Sequence, residues 1–140
     1  MKFWDSSALV PLCLWEPETE KCRQWLEDDP EMLVWFLSVT EVYSAVHRKI
    51  RDGFISLSEL PPIKQRISLL ETSWSEVIQI EVVRQRSYRL LATHSLRAAD
   101  ALQLAAALVA FEDHPEGNVF VTFDRQLAEA AQREGFITFQ

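Results

Sequence analysis

Glycine is nearly absent from this chain, with three residues in 140, and proline is limited to six. That scarcity argues against a sandwich of many short strands joined by tight turns. Disorder is excluded from the other side, because 48% of the residues are hydrophobic, enough for a sizeable core. Cysteine is limited to Cys13 and Cys22, which form no CxxC pair. They read as small core residues in a reducing compartment rather than a disulfide framework. His47, His94 and His114 show neither metal-ligand spacing nor a partnered Ser or Cys nucleophile. Basic charge is in deficit, 14 Lys and Arg against 21 Asp and Glu, a net charge of -7. Broad electrostatic attachment to nucleic acid or anionic membrane is thereby disfavoured. A nucleic-acid substrate remains open, since a local Arg patch or a bound metal reverses the field at one site. No apolar run reaches the ~18 residues of a membrane span, and the N-terminal run is too short for a signal peptide. The expectation is a cytoplasmic protein with no membrane partner, folded as a single domain over residues 1–140.

What is present alternates in type. Lys2–Asp5 reads as a short strand leading into a helix near Ser7–Leu14. Glu18–Glu27 follows as an amphipathic helix. The continuous apolar run Met32–Leu37 suits a strand buried on both faces of a parallel sheet. Ser38 starts a helix to about Arg51, closed by Asp52-Gly53. Ser56 and Glu59 have capping-box spacing ahead of a helix to about Leu70. Val77–Ile80 is a short β-type run, Glu81–His94 a helix, and Ser95 a candidate N-cap for a second helix, Leu96–Phe111. Val119–Phe123 is another buried-type strand, Asp124–Glu134 a helix with Gly135 as its C-cap, and Phe136–Phe139 a last strand. Strands alternating with helices predict an α/β fold on a mainly parallel sheet. In such sheets the ligand site lies beyond the strand C-terminal ends, where strand order reverses.

The acids are placed accordingly. Asp5 ends the first strand, Glu41 lies in the first turn after the second, and Asp124 directly follows Val119–Phe123. All three project from one edge of the predicted sheet. Asp100 is more telling, because only it and Gln103 are polar between Ala98 and Phe111. A helix apolar nearly all round is buried, and Asp100 shares its face with Leu104, Ala107, Leu108 and Phe111. A helix N-terminus offers about 0.3–1 kcal/mol to such a carboxylate, less than burial costs. Each acid also has a local reading. Ser38 and Glu41 match a capping box, Asp5 and Asp124 each suit an N-cap, and Asp100 suits an ion pair with Arg97. Capping explains three strand-end acids plus one acid in a buried helix less well than a shared cation does. Oxygen ligands select a hard one, Mg²⁺ or Mn²⁺.

Two basic groups stand out. His47–Arg51 ends a helix, where positive charge complements the dipole. Arg84, Arg86, Arg89 and Arg97 fall on or near the two helices leading to Asp100. Arg86, Arg89 and Arg97 are candidates to hold phosphates beside the site. The five tryptophans are scattered through apolar runs and read as core rather than as a base-stacking platform.

Four segments in order, FWDSSALVPLCLWEPE, LSVTEVYSAVHRKIRDG, HSLRAADALQLAAAL and VFVTFDRQLAEAA, resemble the PIN-domain ribonucleases, specifically the VapC toxins of toxin–antitoxin pairs. The resemblance spans essentially the whole chain. It implies a three-layer α/β/α fold around a parallel sheet of order 3-2-1-4-5. It also implies Mg²⁺- or Mn²⁺-dependent endonuclease action on RNA, a homodimer, and inhibition by a cognate antitoxin. The family's acidic positions carry over as Asp5, Glu41, Asp100 and Asp124, with Ser6 and Thr122 at hydroxyl positions that support the carboxylates. Asp5, Asp100 and Asp124 are the expected metal ligands, and Glu41 completes the set or acts through water. A non-catalytic PIN-like module that binds RNA or protein is the alternative, and retention of all four acids argues against it. A phosphatase of the haloacid-dehalogenase type would need a second Asp where this chain has Ser7.

Overall fold

Phe3 and Trp4 are adjacent and both fully buried, yet they pack into different cores. Side chains alternate across a strand, so a strand with two apolar neighbours in sequence must be covered on both faces. The computed structural model, which describes residues 1–140, shows this layout throughout. The order is β1 (Lys2–Trp4), α1 (Ser6–Cys13), α2 (Thr19–Asp28), β2 (Met32–Trp35), α3 (Ser38–Arg51), a 3₁₀ turn (Leu57–Glu59) entering α4 (Leu60–Glu71), β3 (Trp74–Val77), α5 (Ile80–Thr93), α6 (Ala98–Ala110), β4 (Val119–Val121), α7 (Arg125–Glu134) and β5 (Ile137–Phe139). The five strands form one parallel sheet in the order β3-β2-β1-β4-β5, as the sequence resemblance implied.

Helices α1 to α4 cover one face, where Trp4, Val34, Val42, Ile67 and Val121 meet. Helices α5 to α7 cover the other, around Phe3, Phe120, Leu90, Leu104 and Leu127. The result is the expected α/β/α sandwich. Phe120 stacks on Phe3 with ring centroids 5.2 Å apart and leans on Phe136 at 5.7 Å, which ties the two central strands to the C-terminal edge. Cys13 and Cys22 are free and buried. Trp4, Trp35 and Trp74 are core residues, whereas Trp15 is 76% exposed. No helix is long and apolar enough to cross a membrane.

The third strand lies three residues earlier than Val77–Ile80. Its register, Met32↔Trp74 through Trp35↔Val77, is set by pairing with β2. Trp74 and Val77 are buried while Ser75 and Glu76 between them are exposed. Ile78 is 63% exposed and already leads out of the sheet. Ladder pairing outweighed the local apolar run. The second strand also ends early, at Trp35, because Phe36 and Leu37 turn into α3. Helix α6 starts at Ala98 with Arg97 in the N-cap position, so Ser95 does not cap it. The Ser56–Glu59 capping box does form, with the Ser56 backbone N–H 2.7 Å from Glu59 Oε2.

Candidate active site

Strand order reverses at β1, which has β2 on one side and β4 on the other. Asp5 sits at the C-terminal mouth of that junction. Its backbone N–H donates to Val121 O at 3.0 Å, which pins it to β4. Asp5 is the N-cap of α1: Oδ2 accepts the Ser7 backbone N–H at 3.2 Å, the Ser7 hydroxyl at 2.5 Å and the Thr122 hydroxyl at 2.9 Å. Burial nevertheless holds its pKa above the ordinary carboxylate value, against those hydrogen bonds.

The two hydroxyls close a proton inventory. Thr122 gives its hydrogen to Asp5 and accepts the Asp124 backbone N–H at 3.1 Å. Ser7 gives its hydrogen to Asp5 and accepts the Phe123 backbone N–H at 2.9 Å. Both amides just past β4 are therefore anchored through hydroxyls to one carboxylate near the N-terminus. Ser7 was not among the residues picked from sequence, where it reads only as helix entry. Ser7→Ala leaves the Phe123 N–H without its partner and removes the shortest bond to Asp5. We expect a loss of about 1–3 kcal/mol, read as a lower denaturant midpoint at unchanged slope.

Glu41 lies in the first turn of α3, and the local capping box with Ser38 is not formed. Instead Glu41 Oε2 accepts the Ser6 hydroxyl at 2.5 Å and the Gln103 amide at 3.2 Å. Ser6 also approaches Asp5 Oδ1 at 3.4 Å, so it stands between two carboxylates. Burial raises the Glu41 pKa, the Ser6 hydroxyl opposes it, and the nearby charges of Asp5 and Asp100 add to the rise. Asp124 caps α7, its Oδ1 accepting the Leu127 backbone N–H at 2.8 Å. Asp100, in the first turn of α6, is half-buried and makes no ion pair with Arg97. Burial and then the charges of Asp124 and Asp5 push its pKa up to about 6, partly offset by the Arg97 guanidinium.

Four carboxylates from four separate segments thus meet at one sheet edge, close enough that neighbouring charges add to burial in raising the pKa values of Glu41 and Asp100. Capping and clustering are not alternatives here. Asp5 and Asp124 each use one oxygen on a helix N-terminus; Oδ2 of Asp124 has no hydrogen bond, and Oδ1 of Asp5 has only the Ser6 hydroxyl at 3.4 Å. Glu41 has Oε1 to spare, and none of these oxygens is both sealed from solvent and unpartnered. An all-oxygen anionic donor set suits a hard divalent cation. As the side chains stand, no three of them close around a single point. That spacing is compatible with Mg²⁺, which keeps several waters and takes only one or two carboxylates directly.

A groove of about 330 Å³ is lined by Glu41, alone of the four acids, together with Ser6, Ser7, Ser44, Arg48 and Ala99. It adjoins a larger cleft of about 450 Å³, and Ser7 and Arg48 line both. Arg48 and Arg97 make no ion pair, so two cations flank the carboxylates. Arg86 and Arg89 are placed otherwise. Arg86 pairs with Asp113, and Arg89 holds Glu134 through two bonds of 3.0 Å, with His94 on the same carboxylate at 2.7 Å. Opposite charges from distant segments neutralise both arginines, so of the three candidate RNA contacts Arg97 alone stands free beside Asp100.

Residues 2–133 match the family profile described as the PIN domain. Ribonuclease VapC35 of Mycobacterium tuberculosis is 32% identical over 133 residues, which is 94% of this chain and 90% of the relative. Ribonuclease VapC47 of the same organism is 29% identical over a 150-residue alignment, covering 99% of this chain and 95% of the relative. Among solved structures, PAE2754 from Pyrobaculum aerophilum matches with a TM-score of 0.64 at 20% identity, over 98% of this chain and 89% of that one. FitAcB from Neisseria gonorrhoeae matches with a TM-score of 0.57 at 15% identity, over 100% and 97% of the two chains. At such identities the two structures speak for the fold alone.

Proposed function

This chain belongs to the PIN-domain family, with VapC ribonucleases among its relatives, and from that premise we propose that it is a toxin endoribonuclease dependent on Mg²⁺ or Mn²⁺. Residues 1–140 are read as one PIN domain whose substrate is RNA and whose activity a cognate antitoxin neutralises. The observation that supports this most is the convergence of Asp5, Glu41, Asp100 and Asp124 beside the β1–β4 junction, each of the three tethered ones with an oxygen to spare. When bound, a divalent cation supplies an acidified water and offsets charge on the phosphate and the leaving oxygen.

The chain's own groups divide the remaining work. Asp5, Asp100 and Asp124 would hold the cation, in part through its waters, and Ser6, Ser7 and Thr122 orient Asp5 through their hydrogen bonds. Glu41, tethered through Oε2, would complete the cation's surroundings through water and offers Oε1 to a water proton. Arg97 and Arg48 receive the flanking phosphates, which answers how an acidic chain holds RNA: two unpaired guanidiniums beside the acids act locally while the rest of the surface stays negative. The protein acts as a homodimer in the cytoplasm, and an antitoxin segment with a basic side chain near the acids silences it.

The test incubates the purified protein with a pool of structured RNAs, with Mg²⁺ or Mn²⁺ and then with EDTA. Cleavage that needs the cation is the expected result. Equal cleavage in EDTA overturns the metal-dependent reading, and intact RNA under all conditions favours the binding-only module. Light scattering during gel filtration checks the dimer.

A further inference from the structure

A glutamine inside a helix of alanine and leucine is out of place unless something holds it. Gln103 has no exposed surface and lies one turn beyond Asp100 on α6. Its Nε2 donates to Ser38 Oγ at 2.9 Å and to Glu41 Oε2 at 3.2 Å, and its Oε1 accepts from Ser38 Oγ at 3.3 Å. Two amide N–H groups thus meet two oxygens on α3. Turning the amide over would set its carbonyl oxygen against a carboxylate, so the chemistry selects the orientation found. These are the side-chain hydrogen bonds that join α3 to α6. Met or Leu would fill similar space without a polar group to desolvate, so packing does not account for the amide.

We infer that Gln103 is a positioning residue that, through Ser38 and Glu41, sets how far the carboxylate of α3 stands from Asp100 on α6. Ser6 fixes the same Glu41 oxygen from α1 at 2.5 Å. One carboxylate oxygen is therefore anchored to two other helices while its twin is left to the site. The inference rests on the cation-dependent reading above, and it goes beyond it by assigning a role to a residue that touches neither cation nor substrate. Groups that orient metal-binding side chains typically matter by about 10–100-fold in affinity or activity.

The experiment uses the purified full chain and two readouts, Mn²⁺ affinity by calorimetry and steady-state cleavage of the RNA pool. Gln103→Met is expected to weaken Mn²⁺ binding and to lower kcat, each by about 10–100-fold, with KM unchanged and a native circular dichroism spectrum. A merely structural role is separated by repeating the Mn²⁺ titration in a Glu41→Gln background. There, adding Gln103→Met is expected to change affinity no further, because the residue acts through Glu41. The same fold-loss in both backgrounds overturns the inference, as does a Gln103→Met protein that binds Mn²⁺ and turns over like the wild type. Should Gln103→Met not fold, Ser38→Ala removes one anchor of the amide and must show a smaller loss in the same direction, absent from the Glu41→Gln background. A wild-type chain that neither binds Mn²⁺ nor cuts RNA overturns the ribonuclease reading itself and the inference with it. A wild type that does both while the variants are unaffected overturns only the inference.

Discussion

Asp100→Asn is expected to lower cation-dependent RNA cleavage by about 10²–10⁴-fold while leaving the chain folded and, without cation, more stable. The loss follows from removing a carboxylate that feels the charges of both Asp124 and Asp5. The gain in stability follows from its burial first and from those charges second. In the folded chain Asp100 titrates at about 6, against 3.8 for an ordinary aspartate. The folded state therefore binds this proton more tightly than the unfolded one. The stability it contributes is fully present below pH 3.8 and is lost as pH rises to about 6. At neutral pH the ionised group costs on the order of 1 kcal/mol once its half-exposure is allowed for, and the amide removes that cost. Urea denaturation at neutral pH with EDTA should show Asp100→Asn above the wild type, with the difference shrinking toward pH 4. A variant that is both inactive and less stable across that range would mean that Asp100 is a structural residue.

The second large effect is on the wild type. Mn²⁺ at about a hundred times its dissociation constant is expected to raise the melting temperature by about 10 °C at neutral pH. A ligand that binds only the folded state stabilises it by mass action. Here it also offsets the burial, and after it the neighbouring charges, that keep Asp100 and Glu41 above their ordinary pKa values. Protons compete for the same oxygens, so the gain should fall away as pH drops below about 6, where Asp100 titrates. Calorimetric scans with and without Mn²⁺ at two pH values measure both points. An unchanged melting temperature in millimolar Mn²⁺ at neutral pH would mean that these carboxylates share no cation.

Strand-end acids were legible in the sequence because an apolar run that stops on Asp, as in FVTFD, marks both the strand and its mouth. The buried helix α6 was legible for the same kind of reason, since a carboxylate in an alanine-rich helix stands out, and its local reading, an ion pair with Arg97, does not form. Gln103 was visible as the other polar residue of that helix, but its partners lie 62 and 65 residues away, and nothing local indicates them. Ser7 was hidden by adjacency: next to a helix cap it looks like helix entry, and its bond to the Phe123 amide exists only once β1 and β4 pair. The third strand was misplaced because WSEV carries two polar residues that its edge position tolerates. Arg86 and Arg89 looked free because Asp113 and Glu134 meet them only in the fold.

The central strand is the first one synthesised, and its β4 partner is nearly the last. Asp5 waits 117 residues for Thr122. At about 5–20 residues per second of translation, that wait is about 6–23 seconds, during which the growing chain carries a carboxylate but no assembled centre. Under the ribonuclease reading proposed above, a chain of this topology cannot assemble its acids until β4 has left the ribosome and docked on β1. Moving Lys2–Trp4 and its cap to the far end of the chain by circular permutation would let β4 wait for Asp5 instead. In either order the acids come together only after the later of the two strands is made, so the delay is set by that strand.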